Sequence, residues 1–153
     1  MRASKASRFF RGLVACVCIA GIFSPSSSLA DDLSKASATA IAELLKQGGI
    51  PLTYPITDTT KSPFFKDERR KAGIISSAVT ATDDADISIT VFESSQLRND
   101  ARLRQIKACP GCAYITECGS ILLSFVGTRS RAPATREQSR LAYELLRNKY
   151  KCE

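Results

Sequence analysis

The strongest constraint on the fold is a set of strand-like segments in the second half of the chain. From residue 86 to 92, isoleucine and valine alternate with serine and threonine, which is the period of a strand with one wetted face. Residues 121–126 are almost continuously apolar, as in a strand buried on both faces. Residues 73–80 predict another strand, joined to 86–92 by a turn at 82–85. The chain should therefore contain an antiparallel hairpin and a further buried strand.

Three helices are expected around these strands. Residues 33–45 place leucine, isoleucine and alanine on one stripe, and a glycine pair follows. Ser94 is a suitable N-cap for a charged helix at 95–107, although its apolar stripe is poor. Thr135 and Gln138 have the spacing of a capping box at the start of the last helix.

These elements predict an α+β fold of two layers. A mainly antiparallel sheet of three to four strands should pack against about three helices. Residues 52–56, interrupted by prolines, predict at best an edge strand, and residues 57–62 predict a loop. The unit from residue 86 to 126 would be a right-handed crossover if its two strands were parallel neighbours.

The first 30 residues have the composition of an export signal. Four basic residues among the first 11 precede the apolar stretch 12–23, and small residues follow up to Ala30. That stretch is shorter than the about 20 residues that a membrane-spanning helix needs. We expect cleavage before Asp31 and a periplasmic or secreted protein with no transmembrane span in the mature chain. Lipidation of Cys16 is less favoured, because Arg11 leaves almost no apolar stretch before it.

Cleavage would change the charge balance. The 153-residue chain has 22 basic and 15 acidic residues, and four of the basic residues lie in 1–30. Residues 31–153, expected to form one domain, then carry 18 basic against 15 acidic residues, a net charge of +3. This mild charge favours solubility and does not predict a nucleic-acid partner.

Four cysteines remain in the expected mature chain: Cys109, Cys112, Cys118 and Cys152. An even number in a small exported domain predicts disulfides. If the last helix runs back along strand 121–126, all four thiols should gather at one end of the molecule. We favour Cys118–Cys152 with Cys109–Cys112, and the pairing Cys109–Cys118 with Cys112–Cys152 is a close alternative. The bridge that closes the long loop would contribute about 3 kcal/mol.

The spacing of Cys109 and Cys112 is also that of a dithiol redox motif. Such a motif needs a helix that begins at the first cysteine, because the helix dipole then lowers the thiol pKa. Here the motif follows a helix, so a structural bridge is favoured and a thiol–disulfide oxidoreductase is the alternative. A Cys₄ zinc site is weaker still, since only one CxxC pair is present.

Other chemistry has little support in the sequence. The chain contains no histidine, which excludes Ser-His-Asp and Cys-His catalysis and histidine metal sites. Asp83, Asp84 and Asp86 begin like a calcium loop, but the required glycine and distant glutamate are missing, so a hairpin turn is favoured. We therefore expect no cofactor and no metal.

The remaining interpretation is a non-enzymatic binding module, such as an inhibitor, immunity protein or secretion-accessory protein, with another envelope or extracellular protein as its partner. The candidate contacts are aromatic and basic side chains: Phe64, Phe65, Arg69, Arg70, Arg98 and Arg102. A basic ridge on the last helix, formed by Arg136, Arg140, Arg147 and Lys151, offers a weaker site for an anionic polymer.

Overall fold

The predicted hairpin lies in the middle of a five-stranded antiparallel sheet in the computed structural model, which describes residues 36–62, 66–150 and 152. The strands are β1 (Thr57–Asp58), β2 (Ile74–Ala81), β3 (Ala85–Phe92), β4 (Tyr114–Cys118) and β5 (Ile121–Gly127). Their order in the sheet is β1-β2-β3-β5-β4, and each neighbouring pair is antiparallel. The α+β class is confirmed, and the expected number of three to four strands was too small.

The helices are α1 (Ala38–Gln47), α2 (Lys66–Lys71), α3 (Ser95–Ala108) and α4 (Ala132–Lys149), with a short 3₁₀ helix at Arg129–Arg131. The described residues thus contain four α-helices instead of about three. Helix α2 occupies a charged segment just before β2. Ser37 caps α1 by accepting a hydrogen bond from the amide of Ala40, so this helix begins later than its apolar stripe suggested.

Strand β4 was not predicted, and it changes the topology. The chain reverses between β4 and β5 at Gly119, whose φ of +53° is a conformation that glycine adopts without steric cost. Strand β5 then enters the sheet between β3 and β4 and pairs antiparallel with both. The segments 86–92 and 121–126 are therefore antiparallel neighbours, and the condition for a right-handed crossover is not met. Both faces of β4 carry apolar and polar side chains, which hides its strand period.

The edge strand expected at 52–56 is also displaced. The described edge strand is β1, which pairs Thr57 with Val79 and Asp58 with Ala78 of β2. Pro51 and Pro55 lack the amide hydrogen that a sheet ladder needs. The segment 52–56 therefore approaches β2 as a loop, and the strand begins just after the second proline.

The core face of the sheet is the face that carries Ile87, Ile89, Ile121, Leu123 and Phe125, all almost completely buried. Helices α1 and α4 pack on it. The opposite side is called the outer face here, and helix α3 contacts it. The sheet is thus covered from both sides, and the expected two-layer arrangement is corrected to three layers. The polar surface of α3, which carries no apolar stripe, suits this outer position.

Helix α4 begins differently from the predicted capping box. It starts before Thr135, so the hydroxyl of Thr135 lies inside the helix and donates to the carbonyls of Arg131 and Asp84. Gln138 reaches across to the β2–β3 turn, accepting from the hydroxyl of Thr82 and donating to the carboxylate of Asp84. These contacts attach α4 to the turn instead of closing its own first turn.

Candidate functional site

Helix α3 covers the half of the outer face away from the β2–β3 turn, where it contacts β3 and β5 and its arginines reach Glu117 of β4. The hydroxyl of Ser124 donates a 2.8 Å hydrogen bond to Gln105. The guanidinium groups of Arg98 and Arg102 both pair with the carboxylate of Glu117 on β4. This half of the outer face is therefore closed by polar contacts and by the buried apolar side chains of Phe92 and Leu122.

Arg98 belongs to this closed half. It is 9% exposed, and its Nε donates to the carbonyl of Gly119 at 3.0 Å. Burial, together with the neighbouring Arg102, lowers the pKa of Arg98. Arginine nevertheless stays protonated at neutral pH, so a charged guanidinium holds α3 to the turn between β4 and β5. The side chain of Arg102 is more accessible, at 40% exposure.

The other half of the outer face, towards the β2–β3 turn, is exposed to solvent. Val79 and Val126 are 42% and 44% exposed. Ser88 lies across from Val79, and Asp86 lies across from Val126, so these four side chains share one surface. With Tyr54 they line a cavity of about 470 Å³, which we call the open groove.

Tyr54 forms the wall of the open groove. Its backbone is fixed to the end of β2: the hydroxyl of Thr80 donates to its carbonyl at 2.9 Å, and the amide of Thr53 donates to the carbonyl of Ala81 at 2.9 Å. Its side chain is nevertheless 65% exposed. An aromatic ring on a fixed backbone loses little conformational entropy when a partner covers it.

Carboxylates border one end of the open groove. A second cavity of about 680 Å³ adjoins it and shares Tyr54, Asp86 and Val126 with it. Asp83, Asp84 and Arg131 also line this cavity. Among the described residues, no lysine or arginine nitrogen lies within 4.0 Å of these three carboxylates. The groove therefore combines an apolar floor with negative charge at one end.

Arg69 and Arg70, the described candidates before β2, are not among the residues that line the open groove. Phe64 and Phe65 lie outside the described residues. Arg69 and Arg70 belong to helix α2, where Arg69 is half-buried and Arg70 is exposed. The end of α2 adjoins the start of α3, since Leu97 lies against Gly73. The binding role of the six side chains selected from sequence stays a prediction.

The cysteines form the two bridges that were favoured, Cys109–Cys112 and Cys118–Cys152. They do not share one end of the molecule. Cys112 precedes β4 and Cys118 ends it, so six residue steps of extended chain, about 20 Å, separate the two bridges. The expected gathering of four thiols is wrong because β4 was not predicted. A Cys₄ zinc site would need the four sulfur atoms at one place, so its geometric basis is lost as well.

The Cys109–Cys112 bridge lies at the C-terminal end of α3. The amide of Cys109 donates to the carbonyl of Gln105, and the amide of Cys112 donates to the carbonyl of Cys109. This is the negative end of the helix dipole, which raises the free energy of a thiolate. Cys109 is exposed, whereas Cys118 is buried.

The ridge on α4 borders a third cavity of about 410 Å³, between that helix and β4. Arg136, Arg140 and Arg147 are exposed, and Lys151 lies outside the described residues. The guanidinium of Arg140 bonds Glu137 and pairs with Glu144. The bond from Arg140 lowers the pKa of Glu137, and the same bond raises the pKa of Arg140. Neighbouring carboxylates thus neutralise part of the ridge.

Within the described residues there is no cluster of three cysteine, aspartate or glutamate side chains that could hold a metal ion. None of the described helices is both long enough and apolar enough to cross a membrane. No family model, curated protein or solved structure matches the chain. The surfaces of the described residues are therefore the basis for assigning a function.

Sequence reasoning did not select the open groove. Val79 and Val126 were assigned to predicted strands, but the sequence does not show which apolar positions a helix leaves uncovered. Tyr54 stood in a segment interpreted only as extended. The available signal was an aromatic residue between two prolines, at a point where the chain bends around a sheet edge.

Proposed function

We propose that the protein is an exported, non-enzymatic binding module that recognises another envelope or extracellular protein through the open groove. The export signal expected at residues 1–30 supports the location, which we propose to be periplasmic or secreted. Two disulfides are compatible with that compartment, because such bonds persist in oxidising environments.

The observation that carries the proposal is Tyr54. Its ring is 65% exposed, whereas its backbone is fixed by a hydrogen bond. The ring lies beside Val79 and Val126, which helix α3 does not cover. Binding energy at protein interfaces is concentrated in a few side chains, with tyrosine prominent among them. An apolar surface of this kind costs free energy in water and is stabilised when a partner covers it.

The test is affinity capture from an envelope extract with three versions of the protein. Wild type should retain a partner that Tyr54→Ala loses by a factor of about ten or more, the usual cost of removing such an aromatic side chain. Tyr143→Ala is the matched control, since Tyr143 is also exposed, at 42%, but lies on α4. A partner lost only with Tyr143→Ala would assign binding to the cavity beside β4 and contradict the choice of surface.

The contacts selected from sequence remain part of the proposal and are tested in the same assay. Alanine at Phe64, Phe65, Arg69, Arg70 or Arg102 should weaken capture without lowering the melting temperature if these side chains meet the partner. Arg98 differs from them, because its burial predicts that alanine also lowers stability.

A thiol–disulfide oxidoreductase that uses Cys109 and Cys112 is the second candidate. The exposure of Cys109 favours it, and the position of the bridge at the negative end of α3 opposes it. Insulin reduction separates the two functions. Turnover that Cys109→Ser abolishes would support the enzyme, and its absence together with specific capture would support the binding module.

A further inference from the structure

We propose that the open groove binds an extended segment of the partner protein in which an apolar side chain is followed by lysine or arginine. This inference rests on the proposed function and specifies the chemistry of the partner. The apolar side chain enters between Tyr54 and the pair Val79 and Val126, and the cationic side chain reaches Asp86.

The floor of the groove carries exposed apolar side chains. Val79 on β2 and Val126 on β5 flank Ser88 and Asp86 of β3 on the outer face, and α3 does not shield the two valines from solvent. The cavity of about 470 Å³ is in the range of clefts that hold small ligands or a few side chains. It therefore suits a narrow segment better than a broad flat surface.

The end of the groove near the β2–β3 turn is negatively charged. Asp86 lies directly across from Val126, so negative charge adjoins the apolar side chains of the floor. Asp83 and Asp84 continue it into the adjoining cavity. None of these carboxylates has a basic partner within 4.0 Å in the described parts of the chain, although Arg131 lines the adjoining cavity and Gln138 donates to Asp84. Asp86 and Asp83 in particular can therefore attract a cation from outside. The face of Tyr54 also attracts a cation.

The same charges argue against other occupants. In a two-fold dimer through this surface, Asp83, Asp84 and Asp86 of the two copies would face each other, and like charges placed together in an interface are unfavourable. An anionic lipid surface would be repelled for the same reason. A segment that is both apolar and basic matches the groove along its whole length.

The test uses a random peptide library displayed on phage and the protein purified after expression of the full-length chain. Selected sequences should be enriched in an apolar residue near lysine or arginine. A synthetic peptide of the selected sequence should lose affinity by about tenfold or more with Tyr54→Ala, as expected for an interface hot spot. With Asp86→Asn the loss should be smaller and should shrink as salt is added, because salt screens exposed charges.

Tyr143→Ala and Asp67→Asn are the matched controls, since both replace exposed side chains on helices away from the groove. Circular dichroism of each variant separates loss of binding from loss of folding. Selected peptides that are acidic, that lack a consensus or that bind Tyr54→Ala as well as wild type would overturn the inference.

Two further outcomes would also overturn it. Sedimentation that shows a dimer dissolved by Tyr54→Ala would assign the groove to a second copy. Flotation with vesicles that contain phosphatidylglycerol, abolished by the same change, would assign it to a lipid surface. If the envelope partner is captured through another surface while no basic peptide is selected, the inference fails and the proposed function stands. If basic peptides bind but no envelope partner is captured, the proposed function fails.

Discussion

The core face and the outer face of the sheet are made by the same strands but held in different ways. On the core face, Ile89 and Leu123 lie opposite each other and are fully buried under α1 and α4. One position along, on the outer face, Ser88 and Ser124 lie opposite each other, and only Ser124 is covered, through its hydrogen bond to Gln105. The core face thus stabilises the fold through extensive apolar burial. The outer face combines polar attachment and two buried apolar side chains, Phe92 and Leu122, with a surface left free for contact.

The largest expected effect separates two neighbours in β5. Phe125→Ala should lower the free energy of unfolding by about 3–5 kcal/mol, because it opens a cavity at a fully buried position. Val126→Ala should change it by less than about 1 kcal/mol, since this side chain is 44% exposed. Urea denaturation of both variants measures the difference. Equal effects would mean that the outer face also belongs to the core.

The next largest effect is the difference in stability that the two disulfides contribute. Cys118–Cys152 closes a 34-residue separation, for which loop entropy gives about 3–4 kcal/mol, whereas Cys109–Cys112 closes three and gives about 1.5 kcal/mol. Replacing each pair by serine and measuring urea denaturation should reproduce this order. Mild reductant should also open Cys109–Cys112 first, because Cys109 is exposed and Cys118 is buried. A larger stability loss without Cys109–Cys112, or earlier reduction of Cys118–Cys152, would contradict the described loop lengths and burial of the two bridges.

A smaller effect is expected from the polar attachment of α3. Arg98→Ala should cost about 1.5–3 kcal/mol, since it removes charged hydrogen bonds to Glu117 and Gly119 at a buried position. Arg104→Ala, an exposed arginine on the same helix, is the control and should change stability by less than about 0.5 kcal/mol. If the two variants are equally stable, α3 is held by something other than this network.

The smallest effect is expected at acid pH near the edge of the sheet. The backbone amide of Thr60 bonds Asp58 at 2.8 Å and, with Lys61 nearby, lowers the pKa of that carboxyl. A lowered pKa in the folded state means that ionised Asp58 stabilises the protein above pH about 4, and that this contribution is lost as the pH falls through the folded-state pKa.

Asp58→Asn should therefore lower the free energy of unfolding slightly at neutral pH. Below about pH 4 the variant should lose less stability than wild type, because it has no Asp58 carboxylate to protonate. Thermal unfolding over this pH range measures the change, with Asp67→Asn as the control for an exposed carboxylate on α2. Parallel curves for wild type and Asp58→Asn would show that the hydrogen bond does not form in solution.

The sequence alone was enough for the elements whose signal is local. The alternation around residues 86–92 predicted β3, and the apolar run at 121–126 predicted β5, because the period and the length of such segments follow directly from strand geometry. Ser94 capped α3 as expected, since a cap needs only a side-chain oxygen and an amide three residues away. The favoured disulfide pairs were also correct, although the argument for them placed the thiols wrongly.

Tertiary structure decided everything that depends on distant partners. Thr135 and Gln138 had the spacing of a capping box, but the β2–β3 turn supplied better hydrogen-bond partners, and the helix began earlier. Strand β4 became visible only through its pairing with β5. The open groove exists because α3 covers one half of the outer face and leaves the other half exposed. A one-dimensional pattern records which side chains are apolar, whereas their exposure depends on which elements meet them in the folded chain.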